Sequence, residues 1–277
     1  MKFNRMKPLL SLLLIFSILS LTNCSKNPAE PQEQPEQPQL PPESSMKLDL
    51  SFFETSSNSG LAKATTFTKK NWTNAALRVF VINTTVLVGT AVPVALFVKA
   101  ASQKPEWNSD DAKFHWIYSL THASIQFEAD LAGWIDVDDK SVVWEMYVSS
   151  NTHVPELVKF LFYEGHCKVT NNEGYWILYH DKYPEIKKEW YRIDWTNDGD
   201  KQTLTFRNIL VGSEYENDEL NYLVNGSERK ITLYDASQNQ TTEIYWDAVT
   251  GAGYLWAPDY NNGEKAYWDE NQNDIEP

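Results

Sequence analysis

The 277-residue chain has two cysteines, Cys24 and Cys167, too few for the disulfide frameworks that hold small secreted domains together. Its five histidines, His115, His122, His153, His166 and His180, never recur at the spacing of an H-x-x-x-H pair, so no structural metal site is expected. No G-x-S-x-G elbow, phosphate-binding glycine loop or dinucleotide fingerprint occurs, and no cofactor is implied. Carboxylates abound, but nothing singles out two of them as a glycosidase pair. Positive charge is scarce: 24 Lys and Arg stand against 38 Asp and Glu, a net charge of −14. That balance argues against nucleic acid as a partner and against electrostatic docking on anionic lipid.

The N-terminus is the strongest signal that is present. Lys2, Arg5 and Lys7 form a positive n-region, residues 9–21 an uncharged apolar run, and Leu21-Thr22-Asn23-Cys24 closes it. This is the layout of a secretory signal, too short for an ordinary membrane span. The cysteine at the cleavage point resembles the lipobox of bacterial lipoproteins, although Asn23 stands where that family usually carries Gly, Ala or Ser. The resemblance covers residues 1–24. It implies removal of residues 1–23, acylation of Cys24 and a membrane anchor there, and Ser25 after the cysteine implies the outer membrane. Losing the signal leaves 21 basic residues against 38 acidic ones. With Cys24 acylated, Cys167 has no partner, and packing must hold the fold.

Residues 25–45 contain six prolines, four glutamates and four glutamines, with Leu40 the one large apolar side chain. Such a segment buries too little surface to offset chain entropy and reads as a disordered tether with polyproline II character. At 3.1 Å per residue it would hold the body up to roughly 60 Å from the bilayer. The expected domain is therefore 46–277, a single β-rich body after a tether at 24–45.

Within that body, residues 46–53 alternate loosely, with Leu48, Leu50 and Phe52 on one side, which suits an edge strand. Residues 79–98 then form a 20-residue window without a charge. It is long enough to span a membrane, and its valines also allow two buried strands at 78–83 and 86–90. Alanine-rich ends and a length near 28 residues favour a buried helix over about 74–101, kinked near Pro93.

From Lys113 onward the apolar period changes to two, the signature of antiparallel strands. Phe114, Trp116, Tyr118 and Leu120 alternate with Lys113, His115 and Ser119, and Ile125, Phe127, Ala129 and Leu131 follow. Further strands are expected near 142–148, 158–162, 175–180, 186–195, 204–210, 220–224, 230–234, 243–248, 253–256 and 265–268. No alternation with helices occurs, so the expected fold is mainly β. It is an antiparallel up-and-down β-barrel or half-barrel of about 10–12 strands, with one long apolar helix packed on or in it. This plan resembles the lipoprotein-carrier proteins of the outer-membrane localisation pathway. It also resembles envelope lipoproteins rich in Trp and Tyr strands. The likeness is one of architecture and carries no motif.

Two functional readings follow. In the first, a non-catalytic, lipid-anchored cell-envelope protein binds or carries an apolar ligand inside the barrel, lined by Trp116, Phe127, Trp144, Phe160, Phe162 and Phe206. In the second, it is a surface-exposed binding module in which outward Tyr175, Tyr179, Trp190 and Tyr245 contact glycan or another envelope protein. A nucleophilic pair of Cys167 with His166 is not expected, because neighbours on a strand point to opposite faces. Asp269-x-Asn271-x-Asn273 has the spacing of a calcium loop, but Asp274 stands where the turn glycine belongs.

Overall fold

A computed structural model describes residues 35–53, 68–82 and 88–276 of the chain. The signal, Cys24, the first part of the tether and the centre of the 79–98 window lie outside the described residues. The compact body is the unit Gln37–Pro277. It begins earlier than composition suggests. Pro38, Pro41 and Ser45, counted with the tether, are buried, and the indole N–H of Trp176 donates to Ser45 Oγ at 3.2 Å.

Fourteen strands form one antiparallel sheet in strict sequence order. They are β1 (Glu106–Asn108), β2 (Lys113–His122), β3 (Ile125–Asp136), β4 (Ser141–Ser150), β5 (Leu157–Lys168), β6 (Glu173–Tyr179) and β7 (Glu189–Asp198). The meander continues through β8 (Lys201–Asn208), β9 (Glu219–Asn225), β10 (Glu228–Asp235), β11 (Gln240–Asp247), β12 (Gly253–Trp256), β13 (Ala266–Trp268) and β14 (Asp274–Ile275). Consecutive strands pair because short polar turns return the chain at once. Gly199-Asp200 and Gly226-Ser227 close two such hairpins, with the glycines at φ +60° and +57°. The sheet is not closed: β1 pairs with β2 alone and β14 with β13 alone.

Period two along each strand becomes two continuous faces across the sheet. On the apolar face a single register row runs Val142, Cys167, Gly174, Trp195, Leu204, Tyr222, Ile231, Ile244, Leu255 and Ala266, from β4 to β13. The neighbouring row alternates large with absent side chains: Phe114, Gly133, Trp144, Gly165, Trp176. Each indole lies over the glycine beside it, so a Cβ on Gly133 would strike Trp144 and one on Gly165 would strike Trp176. Rings this large lie flat on a sheet only where the adjacent strand has no side chain.

The N-terminal part of the body covers this apolar face. Met46, Leu48, Leu50 and Phe53 are buried in the same core as the strand rings. The expected edge strand at 46–53 does not form. Its alternation is real, but the segment lies against the face of the sheet rather than in its ladder, and residues 51–53 are helical. Helix α1 (Lys70–Ile82) buries Trp72, Ala75, Ala76, Val79 and Ile82 and packs on β12, β13 and β14. Helix α2 (Val88–Ala100) contains Pro93 and packs on β2. The Tyr118 hydroxyl donates to the Leu96 carbonyl at 2.5 Å, and Phe97 meets Trp176 edge to face at 5.4 Å. In place of the expected single helix at 74–101, these two segments flank residues outside the description, and helicity starts at Lys70.

Candidate functional site

The second face of the sheet is polar, and within the body its side chains pair with one another. Lys113 Nζ lies 3.7 Å from the ring centre of Trp134 directly opposite it and reaches Glu145 at 2.8 Å. Arg207 pairs with Glu219 at 2.6 Å, and Lys230 with Glu243 at 3.1 Å. Tyr245, Tyr254 and Tyr267 stand opposite one another on β11, β12 and β13. The first two stack at 5.3 Å, so the rings present edges and hydroxyls rather than free faces.

Between β4 and β8 this face is hollowed into an open depression of about 490 Å³. Its origin is a contrast in side-chain size along two register rows. One row runs His166, Tyr175, Asp194, Thr205 and the other Glu173, Thr196, Thr203. The short Asp and Thr side chains of β7 and β8 form a floor beside the taller rings of β5 and β6. His166 and Tyr175 stack at 5.3 Å with their planes 15° apart. The Arg192 guanidinium sits 4.2 Å from the Tyr175 ring centre and grips Asp194 through Nε at 2.8 Å and Nη2 at 2.5 Å. Lys168 and Glu173 pair at 2.5 Å on the rim. Thr196 and Thr203 share a 2.7 Å hydrogen bond, and Thr205 donates to Asn221 Oδ1 at 2.7 Å.

Two polar atoms among the lining residues, Ser141 Oγ and Trp195 Nε1, are buried without a hydrogen-bond partner among the described residues. Burial pushes the Tyr175 hydroxyl pKa up; Arg192 opposes this, while Glu164 and Asp194 reinforce it. That hydroxyl is thus a hydrogen-bond donor at neutral pH. The depression presents hydroxyls, a carboxylate and a fixed ring.

The residues named from sequence fall in two groups. Trp116, Phe127, Trp144, Phe160, Phe162 and Phe206 are all buried in the single core, and none lines the depression. Phe162 is the extra residue of a bulge between the Met146–Tyr163 and Tyr147–Leu161 pairs. Of the four rings expected to face outward, Tyr175 lines the depression and Tyr245 is half-buried on the polar face. The other two are corrected. Tyr179 is 4 % exposed, and Trp190 packs over Gly89 of α2. A register shift after Leu178 explains Trp190: Leu178 pairs with Tyr191 and Tyr179 with Glu189, so Trp190 is bulged out of the alternation. Tyr179 keeps the parity of Tyr175 and is covered on the polar face, with Lys187 Nζ 4.9 Å from its ring centre.

His166 and Cys167 belong to different register rows, so they form no nucleophilic pair. Burial raises the Cys167 thiol pKa, with the Trp144 indole N–H, 3.5 Å from Sγ, opposing it. The Asp269 loop is a turn. Its carboxylate accepts the backbone N–H groups of Asn271 and Asn273 at 2.9 and 2.8 Å. Among the described residues no group of three or more His, Cys, Asp or Glu is arranged to hold a metal. The threonines of the floor were not singled out by sequence. The available signal was Thr203-x-Thr205, small polar residues at period two opposite Asp194-x-Thr196.

No protein-family model matches the chain, and neither does a curated protein or a solved structure.

Proposed function

We propose that this is a non-catalytic binding module of the bacterial cell envelope, fastened to the outer membrane through acylated Cys24, that holds a glycan segment on the polar face of its sheet. The observation that carries the reading is the depression between β4 and β8. A stacked His166–Tyr175 wall stands beside a floor of threonine hydroxyls and the Asp194 carboxylate, on the face that the N-terminal segment leaves uncovered. Sugars are bound through hydrogen bonds to hydroxyl and carboxylate groups of this kind, with the edges of the stacked rings as a wall.

In this reading the sheet is a filled half-barrel, a scaffold rather than a container. The rival, a carrier of apolar ligand, has weaker support. The six rings that would line its cavity are packed against Met46, Leu48, Leu50, Phe53 and the two helices.

The test is titration calorimetry of the Cys24→Ser chain, lacking residues 1–23, against a panel of envelope oligosaccharides. Binding that weakens in Tyr175→Ala supports the module. Absence of saccharide binding, together with co-purifying lipid in native mass spectrometry, would return the assignment to the carrier.

A further inference from the structure

Besides His166, the acidic and basic side chains that line the depression are Lys168, Glu173 and Asp194, and each has a partner of opposite sign within the fold. Lys168 meets Glu173 on the rim. Asp194 receives Arg192 on both carboxylate oxygens, from Nε at 3.0 and 2.8 Å and from Nη2 at 2.5 Å. Arg192 and Asp194 stand at i and i+2 of β7 and so share its polar face. Arg207, directly opposite Arg192 on β8, is taken in turn by Glu219. Leaving His166 aside, charge at this site cancels pair by pair, although the chain as a whole carries −14.

What remains for a ligand is a mixture of donors and acceptors. The Tyr175 hydroxyl is a donor. Thr196 and Thr203 use one hydroxyl hydrogen between them and leave the other free. Thr205 gives its hydrogen to Asn221 and keeps lone pairs. Asp194 has about four lone-pair positions, not all of which Arg192 occupies.

A ligand hydroxyl both donates and accepts, so it can use every one of these groups. A carboxylate or phosphate only accepts, and it has nothing to offer Asp194 or Thr205. An ammonium only donates, and the Tyr175 hydrogen is wasted on it. Neither ion meets an unpaired countercharge, and desolvating a charge without one is unfavourable.

We infer that the glycan segment held in the depression is uncharged, a run of neutral hydroxylated sugars with no carboxylate, phosphate or amine at the units in contact. This rests on the glycan reading and narrows it. Arg192 lies outside the lining and acts as a positioning residue. It fixes the Asp194 carboxylate as an acceptor for hydroxyls and cancels the charge that would otherwise draw a cation.

The experiment is calorimetric titration of the Cys24→Ser chain lacking residues 1–23 with gluco-oligosaccharides of cellulose, laminarin and amylose type. Each is prepared uncharged, amine-bearing and carboxylate-bearing. Within the linkage that binds, the uncharged form should bind best. Arg192→Gln leaves Asp194 unpaired, and the ratio of amine-bearing to uncharged affinity should rise about fivefold, the upper worth of an exposed ion pair. Asp194→Asn leaves Arg192 unpaired, and the ratio for the carboxylate-bearing form should rise by a similar factor. The two side chains are 33 and 41 % exposed, so both variants should keep the native circular dichroism. A ratio taken within one variant is unmoved by a general weakening of the site. A parent that prefers a charged form, or ratios that stay at the parent value in both variants, would overturn the inference and leave the glycan reading standing. Failure of every saccharide in every form would overturn the glycan reading itself, and this inference with it.

Discussion

Asp274 accepts the backbone N–H of Asn71 at 2.8 Å across 203 residues of sequence, and that of Lys70 at 3.1 Å through its other oxygen. A helix leaves its first N–H groups without intrahelical partners, and the usual remedy is a side chain just before the helix. Here the remedy comes from β14, near the end of the chain. Asn71 completes the joint by donating to the Tyr267 carbonyl and accepting from the Tyr260 hydroxyl, both at 2.8 Å. Helix α1 and the last strands therefore hold one another.

The first prediction concerns this joint. Asp274→Ala should destabilise the fold by about 1 kcal/mol, the usual cost of a lost cap. In a domain of this size that lowers the melting temperature by about 2–4 °C. Asp274→Asn keeps an acceptor and should retain part of the loss. Thermal unfolding followed by circular dichroism reads all three, and an unchanged melting temperature in Asp274→Ala would show that the cap contributes nothing.

Much of the fold was legible because one face of each strand from β2 to β13 is buried. Leu204 and Phe206 alternate with Thr203, Thr205 and Arg207, and alternation of that kind reports a sheet directly. It reports burial of one side rather than ladder pairing, however. That is why Met46, Leu48 and Leu50 looked like a strand although they lie across the sheet. Strands β1 and β14 have three and two residues, too few to show a period. Trp190 was misplaced because a bulge breaks the parity from which its direction was inferred, whereas Tyr179 keeps its parity and is buried because Lys187 covers its ring. The floor of the depression escaped notice for another reason. Thr196, Thr203 and Thr205 are ordinary strand residues one by one, and only the register of β6, β7 and β8 brings them beside Tyr175.

A second prediction follows from Gly165. A Cβ there would drive into the Trp176 ring and against the Tyr175 carbonyl, so Gly165→Ala overpacks a site with nowhere to give. Overpacking costs about 1–3 kcal/mol, and this position belongs at the upper end. Gly226 supplies the contrast: nothing lies within 4 Å of its added Cβ, and its φ of +57° is the sole obstacle. Gly226→Ala should cost about 1 kcal/mol. Urea midpoints of the two variants decide the order, and equal midpoints would show that the indole moves aside.

Two histidines should give opposite pH dependence. At His115 burial alone would lower the pKa, but hydrogen bonds and charge from Asp130 and Asp111 outweigh it and leave the pKa raised. A raised folded pKa stabilises fully below the unfolded value of about 6.5, and the contribution fades as pH rises through the folded value. His180 is lowered by burial, which Asp181 opposes and Lys182 reinforces, and it stacks on Trp190 at 4.7 Å. Its contribution is complete above about 6.5 and is lost as pH falls. The stability difference between wild type and His115→Gln should therefore shrink toward alkaline pH. That for His180→Gln should shrink toward acid. Denaturant titrations at several pH values measure both, and slopes of the same sign would contradict the pairings.

The last prediction separates the floor of the depression from the core beneath it. Thr203 and Thr205 carry hydroxyls on the polar face, and valine matches their shape and strand preference without the oxygen. Thr203→Val with Thr205→Val should leave stability nearly unchanged, because the sites are half-buried and their lost partners, Thr196 and Asn221, can turn to water. Saccharide binding should nevertheless weaken about tenfold, the worth of one to two hydrogen bonds. Trp144→Phe should do the reverse. It removes part of a fully buried ring and the indole N–H beside Cys167, lowering stability while leaving saccharide affinity in the folded protein unchanged. A chain whose ligand sat among the core rings would show the opposite division, with the threonine variants silent and Trp144→Phe losing the ligand. Calorimetric titration beside urea unfolding of the same preparations distinguishes the two outcomes.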